Sequence, residues 1–298
     1  MENKGGGNLQ STKVIVAANI FLILAKLTVT MLTGSIAALA VLVDSLFDLA
    51  GSLFTYYGVR KSEEPADEDH LYGHKKYESI TSLVQLSLIA ITALFLINEA
   101  ASRLQHPVVL EITFADIGIM LFAVLVDIGI VTYLKKNARM SSPAMQASMG
   151  NYSSDILQNS LVLVSLFATG SGYYFADPLA ALVVALLMLR VVYNVGKGAI
   201  GELTDAGPSK ERLDGYSQAI LAVKGVKSFH KLRARLVAGE THLDLHVHLD
   251  RKMQLEKAHG ICTTLKHTLM EKFPEIKEVL VHPEPFTKKY AAGPKFGS

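Results

Sequence analysis

Two short patterns inside apolar stretches carry the first chemistry: Asp44-Ser45-Leu46-Phe47-Asp48 and Asn151-Tyr152-Ser153-Ser154-Asp155. Residues i and i+4 share a helix face, so each segment presents a pair of oxygen donors in one direction, and Asn159 continues the second stripe. An ionisable group in hydrocarbon costs about 2.5–3.5 kcal/mol on insertion scales, so two matched pairs call for a reason. Where the faces meet, Asp44, Asp48, Asn151 and Asp155 can enclose one divalent cation tetrahedrally. Asp127 and Lys26 are lone polar residues in other apolar stretches. They read as an interhelical hydrogen-bonding group and as the partner of an acidic group, respectively.

A second candidate lies in the loop from Pro65 to Lys76, where Asp67, His70 and His74 resemble a compact metal site. A merely solvated charged loop is the competing reading. The third concentration is histidine: seven of the ten in the chain follow residue 207, and those such as His242 and His267 read as ordinary surface residues. Cys262 is the only cysteine, which excludes an intrachain disulfide and a CxxC pair. Metal binding here must use His, Asp, Glu or Asn.

Those residues must be held by elements that the same sequence describes. Half of the 298 residues are apolar and only 19% are charged, which argues against a wholly soluble domain. Six apolar stretches of spanning length run at about 13–33, 36–60, 78–103, 112–134, 145–171 and 177–200. Turn signals separate them: Thr33-Gly34-Ser35, His106-Pro107, Ser141-Ser142-Pro143 and Asp177-Pro178. Lys4, Lys13, Arg60, Lys61, Lys75, Lys76, Lys135, Lys136 and Arg139 all fall on one side, with Arg103 the main exception. By the enrichment of basic residues in cytoplasmic loops, both termini are expected in the cytoplasm. Residues 1–12 are Gly-rich and polar, and read as a disordered start with no signal peptide.

Beyond residue 207 the pattern is that of a small soluble domain over 208–286, followed by a tail over 287–298. The order is αββαβ: a helix over 209–223, strands over 226–237 and 240–250, a helix over 255–273 and a strand over 278–282. An antiparallel sheet with helices on one face is expected. Leu243, Leu245, Val247 and Leu249 alternate with His242, Asp244, His246 and His248, giving one apolar face and one dense in ligands.

These features together resemble the cation diffusion facilitators, and most closely their bacterial zinc/iron efflux branch. The resemblance covers nearly the whole chain and rests on Asp44/Asp48, Asn151/Asp155 and Asp67/His70/His74. It implies a bundle of six transmembrane helices joined to a small α+β cytoplasmic domain, ferredoxin-like and metallochaperone-like. It further implies a cytoplasmic binuclear metal site at His230, His246, His259, His282 and Glu284. A homodimer in a bacterial inner membrane follows, with Lys76 and Asp205 as a charge pair linking membrane and cytoplasmic parts. Divalent metal ions (Zn²⁺, Fe²⁺ or Mn²⁺) are the implied substrate and regulatory ligand, with no catalytic cofactor.

One departure from that branch matters: Asn151 stands where a histidine is usual. An amide takes no proton at physiological pH, and its presence leaves four oxygen donors, which tolerate Mn²⁺ and Fe²⁺ better relative to Zn²⁺ than an imidazole-containing site does. Glu284, in place of the usual Asp, keeps the carboxylate with one more methylene. The expected mechanism is alternating access, with protons replacing metal on carboxylates whose charged form burial disfavours. The alternative is a membrane-anchored metal sensor or buffer, against which the intramembrane carboxylates argue. The histidine cluster argues against an exporter of organic cations. A net charge of +2 suggests no nucleic-acid partner. Gly196-Lys197-Gly198 lacks the spacing of a phosphate-binding loop. No nucleophile or acid/base pair accompanies the loop site, so an enzyme is not expected.

Overall fold

The computed structural model describes residues 5–33, 36–105, 114–170, 175–287 and 295–296. They form two compact units, residues 1–200 and 201–298.

The first unit is helical: α1 (Gly5–Thr33), α2 (Ile36–Ser62), α3 (Tyr77–Gln105), α4 (Phe114–Asn137), α5 (Pro143–Gly170) and most of α6 (Ala176–Leu203). Local sequence explains the ends. Pro143 opens α5, where its missing N–H costs nothing, and the Ser142 hydroxyl accepts from the Met145 N–H at 3.4 Å. Arg60 and Lys61 close α2, and Lys135 and Lys136 close α4, beside the negative ends of those helices.

Polarity in this unit is inverted relative to a water-soluble bundle. Asn19, Ser52, Thr55, Gln85, Asp127 and Ser148 are buried, while Phe21, Met31, Phe95, Leu125 and Leu186 are exposed. Hydrocarbon reverses the usual sorting in this way, because polar groups then find partners only inside the bundle. Among the described residues, Tyr77–Gln105 and Pro178–Leu203 are both long and apolar enough to cross a membrane. Helix contact is close where side chains allow it. A Cβ on Gly58 of α2 would lie 2.1 Å from the Thr81 hydroxyl of α3, so glycine sets how near those helices come.

The N-terminal expectation needs correction. Residues 5–12 are helical, and Asn8, Ser11 and Thr12 are buried. The Asn8 side-chain oxygen accepts from the Arg139 backbone N–H at 2.8 Å, and the Thr12 hydroxyl donates to the Leu9 carbonyl at 2.9 Å. Polar composition suggested disorder, but these partners satisfy the polar groups within the fold.

In the second unit, α7 (Lys210–Ala222) and α8 (Leu255–Lys272) cover one face of a sheet. Its strands are β1 (Ser228–Val237), β2 (Glu240–Leu249), β3 (Ile276–Pro285) and β4 (Lys295–Phe296), in the order β3-β2-β1-β4. Tyr216 and Ile220 of α7 and Leu265 and Leu269 of α8 close the core over Phe229, Leu243, Leu245 and Val247. The sheet is mixed, where an antiparallel one was expected: β1 and β2 are antiparallel, but β2 and β3 are parallel. The reason is α8, which carries the chain back to the start of the sheet so that β3 runs alongside β2. Part of the expected tail also pairs, since β4 adds to β1 in parallel.

A two-residue turn joins β1 to β2, with Ala238 and Gly239 at φ of 50° and 72°. Both turn N–H groups donate to the buried Glu202 carboxylate, at 2.8 and 3.0 Å, which offsets the strain of a non-glycine residue in the left-handed region. A bulge at Lys231, φ 51°, interrupts the register after His230, so that Phe229 and Leu232 can both enter the core.

Candidate metal centres

Helices α2 and α5 bring the intramembrane donors together. The Asn151 amide nitrogen donates to Asp48 Oδ1 at 3.1 Å and to Asp155 Oδ2 at 3.2 Å. The three side chains line one cavity with Gly51 of α2, Gln85 of α3 and Met188 of α6. Asp44 lies one turn before Asp48, but its side chain is outside the described residues, as are those of Asn159 and Lys26. Asp127 is buried on α4 and is not part of the cavity lining.

An amide offers a cation only its carbonyl oxygen. Asn151 turns its NH₂ towards both carboxylates, so for it to ligate an ion the amide must rotate by about 180°, exchanging two hydrogen bonds for one metal contact. The arrangement seen is carboxylates tied together by an amide, and the same oxygens are chemically able to surround a cation.

The cavity rests on polar residues that sequence reasoning passed over. Asn19 of α1, 3% exposed, donates to the Asp48 carbonyl at 3.3 Å, the Ser52 hydroxyl at 3.2 Å and the Tyr152 hydroxyl at 2.9 Å. Gln85 accepts from Thr55 at 2.9 Å and Ser148 at 3.3 Å. Each is an amide within an apolar run, and that was the available signal.

The loop between α2 and α3 brings its three candidates together. Asp67 accepts from the His70 backbone N–H at 2.7 Å, and its two oxygens lie 3.2 Å from His70 Nδ1 and 3.2 Å from His74 Nε2. The backbone N–H of His70 leads the effects that hold the Asp67 carboxyl below its usual value, against a smaller opposing effect of desolvation. His74 is buried, with Nδ1 3.1 Å from the Pro65 carbonyl, while His70 and Asp67 are open to solvent. All three ligand atoms lie within 4.8 Å of one another.

On the second unit, strand register builds the third centre. His230 of β1 is opposite His246 of β2, which is opposite His282 of β3; one pair further along, His248 is opposite Glu284. Opposed residues share a face, so five donors occupy the side of the sheet that the helices leave bare. Glu284 divides its oxygens between them. Oε1 lies 2.7 Å from His246 Nδ1 and 3.9 Å from His282 Nε2; Oε2 lies 3.5 Å from His248 Nε2 and 3.8 Å from His230 Nε2. The result is two donor triads, His246/His282/Glu284 and His230/His248/Glu284.

Crowding sets the charges. Desolvation leads in pushing His230 and His248 below the usual histidine value, helped by neighbouring imidazoles and opposed by the Glu284 carboxylate. At Glu284 desolvation opposes ionisation, but the His246 hydrogen bond and the nearby imidazoles outweigh it and lower the carboxyl. Neutral imidazoles beside an ionised carboxylate are the protonation states a divalent cation needs. His259 is elsewhere: it is exposed on α8, with Nε2 3.5 Å from the Thr263 hydroxyl, and belongs to neither triad. His248 is the member that sequence reasoning left out, although its place two residues after His246 on one strand was the signal. Lys76 precedes α3, and Asp205 follows α6 at φ 58°.

Comparison with known proteins matches both units in order. Residues 12–204 match the model of the cation efflux transmembrane domain, and residues 208–286 that of the cation efflux protein cytoplasmic domain. The chain belongs to the cation efflux family. Within that family it is 33% identical over 287 residues to the cation-efflux pump FieF of Klebsiella pneumoniae, covering 95% of each chain. It is 34% identical over 254 residues to FieF of Yersinia pestis, covering 85% of this chain and 84% of the other. A solved structure named MamM CTD, copper form, is 25% identical, with a TM-score of 0.29 over 30% of this chain and 86% of its own. As a cation efflux protein, the chain is an integral membrane transporter of metal cations with a cytoplasmic α+β domain, and the family is not an enzyme class.

Proposed function

We propose that this transporter exports a divalent transition-metal ion of the Zn²⁺/Fe²⁺/Mn²⁺ class in exchange for protons. It works as a homodimer with six spans per protomer and both termini in the cytoplasm of a bacterium, in the inner membrane. Asp44, Asp48, Asn151 and Asp155 form the transport site. The observation that carries this reading is the Asn151 amide bridging Asp48 and Asp155 across α2 and α5 inside a bundle with apolar outer faces.

A divalent ion needs the carboxylates free of protons, so metal and protons compete for the same oxygens and each displaces the other. Alternating access then couples the two fluxes. Asp67, His70 and His74 bind a further ion at the loop. The histidine face of the cytoplasmic domain binds regulatory metal, with His259 as a further ligand, and the Lys76–Asp205 pair at the dimer centre, on family resemblance alone.

Metal-stimulated proton flux in proteoliposomes tests the transport site and its selectivity together. Wild type should move Mn²⁺ or Fe²⁺ well, and Asn151→His should shift preference towards Zn²⁺. Wild type transporting Zn²⁺ best, with no shift in the variant, would contradict the selectivity assigned to Asn151.

A further inference from the structure

His248 is the most enclosed imidazole of the sheet face, its side chain 1% exposed. Strand pairing places Ser228 directly opposite it, with the Ser228 hydroxyl 2.8 Å from Nδ1. With a proton on Nδ1 donated to that hydroxyl, Nε2 is left as a lone-pair donor facing Glu284 Oε2 at 3.5 Å. The ring of His230 stacks on it, centroids 4.7 Å apart at 14°, and brings its own Nε2 to 3.8 Å from the same oxygen. Both separations are longer than an ordinary N–H···O hydrogen bond. They suit a shared ion instead, because tetrahedral bonds of ~2.0–2.1 Å hold donor atoms about 3.3 Å apart.

We propose that His248 is a metal ligand, completing with His230 and Glu284 an inner site for a nitrogen-preferring divalent cation within one protomer, and that Ser228 is the residue that orients it. The proposal deepens the regulatory metal site described above and rests on that reading. His282, by contrast, is exposed, so the His246/His282/Glu284 triad exchanges its ion readily. The inner ion is enclosed by His248, His230 and Phe286, whose ring lies 6.3 Å from that of His248. It is therefore the retained one, and the outer ion responds to metal supply.

The test uses the full-length protein in detergent, loaded with Co²⁺ and dialysed against metal-free buffer, with bound ions counted per protomer and the visible Co²⁺ absorption recorded. His248→Gln should retain one ion fewer than wild type and lose the corresponding absorption. Ser228→Ala should bind with ~10–100-fold lower affinity, the usual effect of removing a group that orients a histidine ligand. Glu284→Ala separates the two levels of the reading. If it binds as many ions as wild type, the cytoplasmic metal site itself falls. If it loses ions while His248→Gln does not, only the inner-site assignment falls. Should His248→Gln fail to fold, Ser228→Ala decides alone, and an unchanged Co²⁺ affinity there overturns the proposal.

Discussion

Two of the three candidate centres, the cavity between helices and the face of the sheet, solve the same problem with opposite means. In the helical unit, oxygen donors sit on separate helices and are hydrogen-bonded to one another through Asn151. On the sheet, nitrogen donors sit on three adjacent strands whose register fixes their spacing before any ion arrives. The first arrangement must break contacts to take a cation and can remake them on releasing it, as carriage requires. The second gives up the His246–Glu284 hydrogen bond but keeps its strand spacing on binding, which suits retention and sensing. Donor chemistry follows the same division, since imidazole favours Zn²⁺ while carboxylate and amide oxygens discriminate less against Mn²⁺ and Fe²⁺.

Breaking one centre should therefore leave the other intact. The largest effect is expected from Asp155→Ala, which removes a proposed ligand and one of the two acceptors of the Asn151 amide; transport should fall by more than about 100-fold. Co²⁺ bound to the sheet should be unchanged by titration in the same preparation. Replacing both His230 and His282 with Ala should lower transport and weaken the dimer, measured by flux and by sedimentation, while the membrane site still binds. Metal dependence unchanged in that double variant would sink the regulatory role.

Two smaller effects sharpen the contrast by acting on the supports. Gly58→Val would force a side chain into Thr81 and separate α2 from α3, costing about 1–3 kcal/mol of bundle stability by thermal unfolding in detergent. Glu202→Gln replaces one of the two acceptor oxygens of the β1–β2 turn by a donor and removes the charge. About 1–2 kcal/mol of stability should be lost from the second unit, with metal-free membrane-site behaviour unaltered.

Periodicity made the helices legible, because apolar stretches and i,i+4 donor pairs are local properties of the chain. The sequence left the Asp48–Asn151–Asp155 meeting conditional on two polar stripes facing each other, and the helices bring those three side chains together. What escaped was set by partners distant in sequence. The parallel pairing of β2 with β3 depends on the α8 crossover, and the bulge at Lys231 depends on filling one core with Phe229 and Leu232. Asn8 appeared to belong to a disordered start because its partner, Arg139, is 131 residues away. His248 was visible in the strand alternation, but Ser228, which orients it, becomes its neighbour only once β1 and β2 pair.

The most direct test of transport at the Asp48–Asn151–Asp155 cavity is metal-driven proton flux in proteoliposomes, with Asp48→Ala measured beside the His230→Ala/His282→Ala variant. Flux should fall in Asp48→Ala as far as in Asp155→Ala and persist at a reduced level in the histidine variant. Wild-type flux in Asp48→Ala would contradict the assignment of transport to that cavity.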